Sequence, residues 1–260
     1  MLKNYLKIAA RNILKNKVYS TINIVGLSVG IAVSILILLY VQNELTFDSF
    51  NKNKDRIYRV ITEQEKKNER MTLGVSPLPL GPSLVSEFPQ IKSTARFLSR
   101  DAIISVGDNK FVQRIVFTDS SFFSMFSFSV INGNLLTALK QPNSVVLTER
   151  TAKKLFCDEN PLSKLLEINI NNNKKNFVVT AVVQNIPNNS SIDFDILLPI
   201  VNTPEYEHGM EDWTSFGTST FILLSNNAQI ADVEKSISPF IKKYFGRYIS
   251  DGQTTGWLDK

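Results

Sequence analysis

The sequence predicts an α+β protein in which one N-terminal transmembrane helix is followed by a mixed, mainly antiparallel extracytoplasmic domain of two subdomains. Two observations support this fold class. Residues 18–43 contain no charged side chain and directly follow a basic segment, which is typical of a membrane helix. Beyond residue 44, short β-branched runs alternate with a few stretches of helical periodicity, and the turn-forming segments between these runs favour hairpins.

The first 17 residues contain five cations and no acid. Four of these cations recur at intervals of four residues, so a helix would align them on one face and leave apolar side chains on the other. We therefore predict an amphipathic helix at the cytoplasmic surface of the membrane over residues 1–17. The alternative is a solvated basic tail that only sets the topology. The five cations are Lys3, Lys7, Arg11, Lys15 and Lys17.

The uncharged segment at residues 18–43 is predicted to be a transmembrane helix. Its central part, from Ile22 to Val41, would rise about 30 Å as a helix, which matches the hydrocarbon thickness of a bilayer. A cleavable signal peptide is the alternative, but its apolar region would be shorter and would end in a small-x-small site. Because basic flanks stay in the cytoplasm, we expect the N-terminus to be cytoplasmic and the residues after Glu44 to be periplasmic.

Small residues recur along one stripe of this helix, at Gly26, Gly30 and Ser34. Small side chains let a second membrane helix approach closely, so we predict that the stripe packs against a partner helix. The alternative is that these glycines reflect the general frequency of Gly in membrane helices. Residues 26–30 also match the G-x-S-x-G pattern of serine hydrolases, but that pattern requires a strand-to-helix turn beside a histidine. We therefore expect no hydrolase site here.

Segments with strand or helix patterns follow in the rest of the chain. Strands are predicted at residues 56–63, 102–106, 111–118, 144–148, 165–170, 177–183 and 218–224. Helices are predicted at residues 77–88, 149–156 and 230–245. The turns around residues 107–110 and 171–176 are rich in Asn, Gly and Lys, so they should close two antiparallel hairpins.

The basic character of the chain is confined to its N-terminal segment. The net charge is +5, and the first 17 residues hold five of the 29 basic residues, which leaves 24 basic against 24 acidic residues. A nucleic-acid partner needs a basic patch on the folded domain, so none is expected. Cys157 is the only cysteine, which excludes an intrachain disulfide and suits a bacterial envelope protein. We expect Cys157 to be a small buried apolar residue.

No set of residues predicts catalysis, a cofactor or a metal ion, so the chain is not expected to be an enzyme. The single histidine, His208, lies among acidic residues on a Gly-containing loop, which is more typical of a solvated turn than of a metal site. The sequence contains no phosphate-binding G-x-x-x-x-G-K-[ST] loop. We therefore expect ATP hydrolysis to occur on a separate subunit.

Four phenylalanines form the densest aromatic patch of the sequence. We predict that they form hydrophobic core under the surrounding strands. The alternative is a groove for a ligand or a partner protein. These residues are Phe122, Phe123, Phe126 and Phe128.

Seven segments along the chain carry a family resemblance. They lie at residues 2–17, 22–30, 43–50, 55–60, 122–128, 144–148 and 177–180, and they include N-E-L-T-F-D-S-F, D-R-I-Y-R-V, F-F-S-M-F-S-F, S-V-V-L-T and F-V-V-T. In this order they resemble the N-terminal part of MacB/FtsX-type ABC transporter permeases, which comprises the first transmembrane helix and the MacB-like periplasmic core domain. Cys157 and Ala181 depart from the resemblance, since glycine is expected at both positions.

The resemblance implies a permease subunit of an ABC-type exporter or mechanotransmission complex in the bacterial inner membrane. Such a subunit relays ATPase-driven motion from the cytoplasm to the periplasm. The implied partners are the membrane, a cytoplasmic ABC ATPase subunit, a second permease copy or half, and a periplasmic or outer-membrane partner. A single-pass membrane-anchored extracytoplasmic sensor or binding domain is the alternative function.

The resemblance also implies an internal division of the core domain, which spans residues 44–260. A membrane-proximal part would be formed by residues 44–114 and 206–260. A distal part, at residues 115–205, would be inserted between them. Members of the family continue into three more membrane helices, so we expect this sequence to be the N-terminal fragment of a longer permease.

Overall fold

The structure is a computed structural model that describes residues 2–66, 69–107, 109–249 and 255–259. The chain divides into two compact units, Met1–Ser49 and Phe50–Lys260. The first unit contains two helices, and the second is an α+β domain built on a 12-stranded sheet. The predicted change from membrane segment to folded domain near residue 44 stays a prediction.

The two helices of the first unit are α1 (Leu2–Lys15) and α2 (Lys17–Leu45). α2 is apolar on all sides, and none of its described side chains is buried within the unit. A helix of this kind is suited to lipid rather than to water. The mean hydropathy of its most apolar 18-residue window is 2.7, and among the described helices it alone is long and apolar enough to cross a membrane. The predicted helix at residues 18–43 is thus confirmed as a helix.

The second unit contains five helices and twelve strands within its described residues. The helices are α3 (Leu80–Glu87), α4 (Phe122–Met125), α5 (Glu149–Phe156), α6 (Tyr206–Gly209) and α7 (Ile230–Ile249). The strands are β1 (Ile57–Lys66), β2 (Glu69–Leu73), β3 (Ser76–Pro77), β4 (Ile91–Val106), β5 (Asn109–Thr118), β6 (Val130–Gly133), β7 (Ser144–Thr148), β8 (Leu165–Ile170), β9 (Asn173–Val183), β10 (Ile196–Pro199), β11 (Phe216–Leu224) and β12 (Thr255–Asp259).

Six strands close into a ring of hydrogen-bonded pairs. Their order is β4, β5, β10, β7, β9 and β8, and β8 pairs back onto β4. Two pairs in this ring are parallel, β5 with β10 and β7 with β9, whereas the other four are antiparallel. The predicted mainly antiparallel sheet is therefore confirmed. Because the six strands form a closed ring, this part of the sheet is a small barrel.

β4 belongs both to the ring and to an open sheet beyond it. Its first part, at residues 91–97, pairs with β11, whereas residues 103–105 pair with β8. β11 then pairs with β1, and β1 also pairs with β2 and β12. The short strands β3 and β6 pair with β11 and β9 respectively. One strand of 16 residues thus connects two regions of the domain.

Three hydrophobic clusters form the core. The first takes alternate residues, such as Ile104 and Phe117, from all six strands of the ring. Only the inner face of a closed ring is common to six strands, so this cluster fills its interior. The second cluster contains Phe122 and uses the opposite faces of five of these strands, all except β8, together with β11. The third packs α3 and α7 against β1 and β11, through residues such as Leu84 and Phe240.

Most predicted elements are present, and three have the predicted bounds, namely β7, α5 and β8. The strand predicted at residues 102–106 is only the C-terminal end of β4, because Arg96 and Ser99 interrupt the apolar alternation before it. The helix predicted from residue 77 begins at Leu80, because Ser76 and Pro77 pair with β11 instead.

The division of the domain into residues 44–114 with 206–260 and residues 115–205 stays a prediction. The third hydrophobic cluster draws only on the first two ranges. The first and second clusters combine residues from both parts. The sheet also continues across the proposed boundary, because β4 pairs with β5 along its whole second half.

Candidate functional site

The predicted basic face lies on α1 and at the start of α2. Because α1 is helical, cations spaced by four residues share one side of it. The side chains of Lys7, Arg11, Lys15 and Lys17 are exposed. Lys3 is part of α1, but its side chain lies outside the described part of the structure. Contact of this face with the membrane surface stays a prediction.

The predicted small-residue stripe lies on α2. A Cβ atom added at Gly26 or Gly30 would meet no atom within 4 Å. The Ser34 hydroxyl donates a hydrogen bond to the Gly30 carbonyl oxygen at 2.8 Å, which satisfies this polar group without a partner from another helix. Along the stripe no large side chain covers Gly26 or Gly30. Packing of the stripe against a partner helix stays a prediction.

The four predicted phenylalanines meet around Phe122. The ring centroids of Phe123, Phe126 and Phe128 lie 4.8, 5.3 and 5.3 Å from that of Phe122, which are favourable distances for aromatic pairs. Phe122, Phe123 and Phe126 are buried, whereas Phe128 is half-buried. Burial in the core thus accounts for three of the four residues. Further rings that contact this cluster are Phe50, Phe97, Phe194 and Phe221.

The first residues of the domain, 50–56, are fastened to the end of α4, and we call them the entry segment. The Ser127 backbone N–H donates to Asn51 Oδ1 at 2.9 Å, and the Lys52 backbone N–H donates to Ser127 Oγ at 3.0 Å. Asn53 Nδ2 donates to the Met125 carbonyl oxygen at 2.8 Å. These bonds join residues more than seventy positions apart, so the entry segment is part of the folded domain.

Arg56 fastens the entry segment to a second place. Its guanidinium donates to Asn53 Oδ1 at 2.5 Å and to Asn226 Oδ1 at 2.5 Å. It also donates to the Leu224 carbonyl oxygen at 3.2 Å. Leu224 ends β11, and Asn226 lies in the turn before α7. The entry segment therefore links α4 with the junction between β11 and α7.

A cleft of about 580 Å³ lies beside the entry segment and the aromatic cluster. The rings of Phe50 and Phe128, with centroids 5.8 Å apart, line it together with Phe123. Ser127 and Gln184 also line it. That Phe123 and Phe128 form a groove for a ligand or a partner protein stays a prediction, and this cleft is where such a groove would lie.

The sequence-based reasoning missed a buried ion pair. Arg96 is 3% exposed, and its guanidinium donates to the two carboxylate oxygens of Asp119 at 2.6 and 2.9 Å. It also donates to the Leu78 carbonyl oxygen at 2.8 Å. A signal was present in the sequence: the hairpin register that pairs Val106 with Asn109 also pairs Phe97 with Thr118. The next position in that register brings Arg96 opposite Asp119.

The prediction that Cys157 is buried is wrong. Cys157 is exposed and directly follows α5, with a φ of 56°. A residue that ends a helix with positive φ is usually glycine, which explains why glycine was expected there.

The second departure, Ala181, is fully buried. It packs beside Gly133, where an added Cβ would lie 2.3 Å from the Thr180 carbonyl oxygen, so Gly133 allows the close approach.

His208 is exposed and lies on the short helix α6 rather than on a loop. Within the described residues, no group of three or more His, Cys, Asp or Glu side chains could hold a metal ion. The neighbouring Asp212 accepts hydrogen bonds from Thr214, two residues further along the same turn. Hydrogen bonds from the Thr214 hydroxyl and the Thr214 backbone N–H lower the pKa of the Asp212 carboxyl below its ordinary value.

Comparison with known proteins identifies the family of this chain. The family model of the MacB-like periplasmic core domain matches residues 20–240. The chain belongs to this family. No curated protein sequence matches it.

Three solved structures share the fold of this MacB-like chain. A domain of a protein named as a permease from Porphyromonas gingivalis has a TM-score of 0.68 at 19% identity, covering 80% of this chain and 90% of that one. The periplasmic region of MacB from Actinobacillus actinomycetemcomitans has a TM-score of 0.54 at 21% identity, covering 76% and 87%. The extracellular domain of the noncanonic ABC-type transporter YknZ from Gram-positive bacteria has a TM-score of 0.54 at 12% identity, covering 78% and 100%.

These findings define the general class of the protein. It has a MacB-like periplasmic domain of the ABC-type permease family, preceded by an apolar helix able to cross a membrane. It is therefore a membrane protein with an extracytoplasmic domain. The family is a permease domain that is typically non-catalytic.

Proposed function

We propose that this chain is part of a permease subunit in an ABC-type exporter or mechanotransmission complex of the bacterial inner membrane. Its N-terminus faces the cytoplasm, where a separate ABC ATPase subunit hydrolyses ATP. α2 relays the resulting motion to the periplasmic domain, and a second permease copy or half completes the membrane part. The fastening of the entry segment to α4 and to the β11–α7 junction is the observation that supports this relay most directly.

A mechanical relay needs a stiff connection between two moving parts. The sequence contains neither Gly nor Pro between Gly30 and Gly74. The composition of a flexible linker is therefore absent from the stretch that contains the end of α2, the entry segment and β1. This favours transmission of force along the chain over free rotation of the domain.

The entry segment then distributes that force within the domain. Asn53 binds both Met125 and Arg56, and Arg56 binds the Leu224 carbonyl oxygen. A displacement of Asn53 must therefore move α4 and the β11–α7 junction or break these hydrogen bonds. A folded unit whose first residues are held in this way responds as one body to a pull on α2.

The first test inserts a short flexible Gly/Ser stretch after Gln42 in the full-length permease, assembled with its ATPase. A spin label on the exposed Cys157 measures the distance between the two domains of a permease pair with and without ATP. The insertion should abolish the ATP-dependent change in this distance while ATP hydrolysis continues, because the flexible stretch no longer transmits displacement.

The matched control carries the same stretch after Asn172, in the exposed turn between β8 and β9. It should leave the ATP-dependent distance change intact. If the distance change persists with the insertion after Gln42, the relay proposal is wrong.

The second test removes one hydrogen-bonding side chain from the entry segment. Asn53→Ala deletes the contacts to Met125 and Arg56, so it should reduce the ATP-dependent distance change by more than half. Lys52→Ala is the control, because Lys52 binds Ser127 only through its backbone N–H. Equal effects of the two substitutions would count against a specific role for the entry segment.

A further inference from the structure

The cleft beside the entry segment, which we call the entry cleft, combines aromatic rings with polar groups. Its volume is about 580 Å³, which is within the range of small-molecule sites. Four phenylalanines and Pro187 line it, and two of the rings, those of Phe50 and Phe128, are only half-buried. The accessible parts of these rings form an apolar surface on which a hydrocarbon chain can pack.

Several polar groups of the same lining have no partner in the protein. In the described part of the structure, the side chains of Lys52, Ser129 and Gln184 make no hydrogen bond or ion pair. Asn185 Oδ1 accepts a hydrogen bond from the Arg150 backbone N–H, which leaves the Asn185 Nδ2 atom available. All four side chains can donate hydrogen bonds. A set of donors that includes an ammonium group is suited to the oxygen atoms of a phosphate.

The ammonium group of Lys52 has no acidic partner. Lys52 is the only charged residue of the lining. None of the ion pairs among the described residues includes Lys52. Asp55, the acidic residue of the entry segment, lies outside the lining. A phosphate can therefore bind Lys52 without displacing a carboxylate of the protein.

The chain holds the entry cleft close to the end of α2. Thr46 caps this helix, and the Ser49 backbone N–H donates to the Thr46 carbonyl oxygen at 3.2 Å. A turn closed by such a bond keeps its first and last Cα atoms within about 7 Å. Phe50 is the next residue, about 3.8 Å further along. The Cα atom of Phe50 is therefore at most about 11 Å from that of Thr46.

The end of α2 lies at the level of the lipid headgroups if the helix crosses a membrane. Thr46 is five residues beyond Val41, the last residue of the apolar stretch. Five residues rise about 7.5 Å in a helix, and each headgroup layer of a bilayer is about 5 to 8 Å thick. Phe50 is thus held within reach of the membrane surface. Phospholipids are concentrated there, and each of them combines a phosphate with hydrocarbon chains.

The strand that leaves the entry cleft also exposes apolar side chains. β6 begins directly after Ser129, and its first residues, Val130 and Ile131, are 47% and 45% exposed. Among the described strands, β6 pairs only with β9. Exposed apolar residues on an edge strand are unfavourable in water and mark interaction surfaces. Hydrocarbon chains bound next to them would reduce this exposure.

We propose that the entry cleft binds a phospholipid from the membrane leaflet next to the domain. The phosphate contacts Lys52 and the neighbouring amide and hydroxyl donors, and one acyl chain packs on Phe50 and Phe128. The site rests on the membrane crossing by α2 that is part of the proposed function. No step of the proposed relay of motion depends on it.

The test uses the full chain in nanodiscs that contain a phosphatidylglycerol analogue with a diazirine on one acyl chain. Illumination attaches the analogue to protein groups within its reach, and mass spectrometry of the digested chain locates the adducts. We expect adducts on α2, at residues 50–53 and at residues 123–129. Adducts on α2 alone would overturn the lipid site and leave the membrane crossing intact. Absence of adducts on α2 would contradict the membrane crossing, and the lipid site with it.

Two substitutions should reduce the cleft adducts relative to those on α2. Ser129→Trp fills the cleft from an exposed position whose side chain has no partner in the described structure, so it should remove most of them. Its thermal unfolding should match that of the unaltered chain. Lys52→Gln should reduce the cleft adducts about fivefold, which is the contribution of one lysine near lipid phosphates.

Each substitution has a matched control. Ser238→Trp adds the same ring at an exposed serine of α7, and Lys54→Gln removes a lysine of the entry segment that lies outside the lining. Both should change the cleft adducts by less than about twofold, as expected for surface positions without a role.

Three further results would overturn the proposal. The first is an unchanged level of cleft adducts in both Ser129→Trp and Lys52→Gln. The second is equal labelling of the cleft by a photoreactive alkane together with no effect of Lys52→Gln, which would indicate a site for a purely apolar ligand. The third is a disulfide between two copies that carry Ser129→Cys and Cys157→Ser, formed in nanodiscs where no cleft adducts appear, which would indicate that a second copy occupies the cleft.

Discussion

Arg96 shows how a single charged residue can stabilise a hydrophobic core. Its guanidinium is 3% exposed and is paired with the carboxylate of Asp119. The same side chain binds the Leu78 carbonyl oxygen just before α3. A buried charge with a complete set of partners is tolerated, but loss of one partner leaves a costly unpaired charge. Arg96 therefore holds β4, the end of β5 and the start of α3 together.

Asp119→Ala is expected to destabilise the domain by about 3 to 5 kcal/mol, because it leaves the Arg96 charge buried without a counterion. Urea unfolding of the full chain in detergent, followed by tryptophan fluorescence, measures the free energy of unfolding. Glu167→Ala is the control, since it removes only an exposed pair with Lys174 and should cost less than about 1 kcal/mol. Equal losses for the two variants would show that the buried pair has no special role.

Cys157→Gly is expected to stabilise the protein by about 1 kcal/mol. The φ of 56° at Cys157 strains any side chain with a Cβ atom, whereas glycine adopts it freely. The melting temperature should rise, as measured by circular dichroism. Asp158→Gly, at the next position, should bring no such rise, because glycine there only adds freedom to the unfolded chain. A lower melting temperature for Cys157→Gly would contradict this account.

At the residue scale, the sequence predicts the usual burial of a residue type better than it predicts the local backbone conformation of a particular residue. The aromatic patch follows the average, since Phe122 and Phe126 are buried as most such residues are. Cys157 departs from it because its exposure is set by the end of α5. Arg96 departs from it because its partner, Asp119, is brought near only when β5 pairs with residues 97–106 of β4.

One carboxylate joins α3 to α7 beside their hydrophobic contacts. Glu87, the last residue of α3, accepts hydrogen bonds from Lys243 Nζ at 2.7 Å and from the Tyr244 hydroxyl. These two hydrogen bonds lower the pKa of the Glu87 carboxyl below its ordinary value of 4.5. The Tyr244 ring stacks on Trp213 at a centroid distance of 4.1 Å. Trp213 therefore reports on the docking of α7.

Glu87→Gln is expected to weaken α7 docking at neutral pH and to flatten its dependence on acid. A carboxyl with a lowered folded-state pKa stabilises the fold fully above its unfolded value of 4.5, and this contribution is lost as the pH falls through the folded-state value. Trp213 fluorescence in a Trp257→Phe background, followed from pH 7 to pH 3, measures the effect.

Glu234→Gln provides the control for this titration, because Glu234 is an exposed residue of α7. Its acid transition should match that of the unaltered chain. If Glu87→Gln also retains the full acid dependence, another carboxyl governs the docking of α7.

At the element scale, local patterns predict local elements well. The bounds of α5 agree with the prediction because the Thr148 side chain accepts a hydrogen bond from the Thr151 N–H and ends the preceding strand. The first half of β4 was missed because its stability comes from pairing with β11, more than 120 positions away. β10 was missed because its four residues are all buried, and a short apolar run has no alternation.

For the whole molecule, the N-terminal charges are expected to determine the topology. In spheroplasts, added protease should digest the domain after Glu44. Replacing the five N-terminal cations with glutamine should leave a fraction of the domain protected, because the charge bias that retains the N-terminus in the cytoplasm is removed. The replaced residues are Lys3, Lys7, Arg11, Lys15 and Lys17.

A matched control replaces five exposed lysines of the domain with glutamine. These residues lie far from α2 along the chain and should not influence the topology. Protection of the domain from protease in the unaltered protein would contradict a periplasmic location. The control residues are Lys110, Lys154, Lys174, Lys175 and Lys235.

The arrangement of the whole sheet lies beyond what sequence patterns predict. The hairpins of β4 with β5 and of β8 with β9 were predicted because a turn joins each pair. The pairing of β8 with β4 closes the ring between segments more than 60 positions apart. No local signal specifies such a pairing, which depends on how the inner faces of all six strands fill one core.

β4 belongs to both the closed ring and the open sheet, so we expect these two regions to unfold in a fixed order. Amide protons within the closed barrel have no exposed border from which opening can begin, whereas β1 and β11 are hydrogen-bonded outside it. Hydrogen–deuterium exchange should therefore proceed from the outer strands inward, with the ring half of β4 among the last regions to exchange. A partly unfolded molecule would then keep its barrel after β1, which follows the entry segment, has lost its hydrogen bonds to β11.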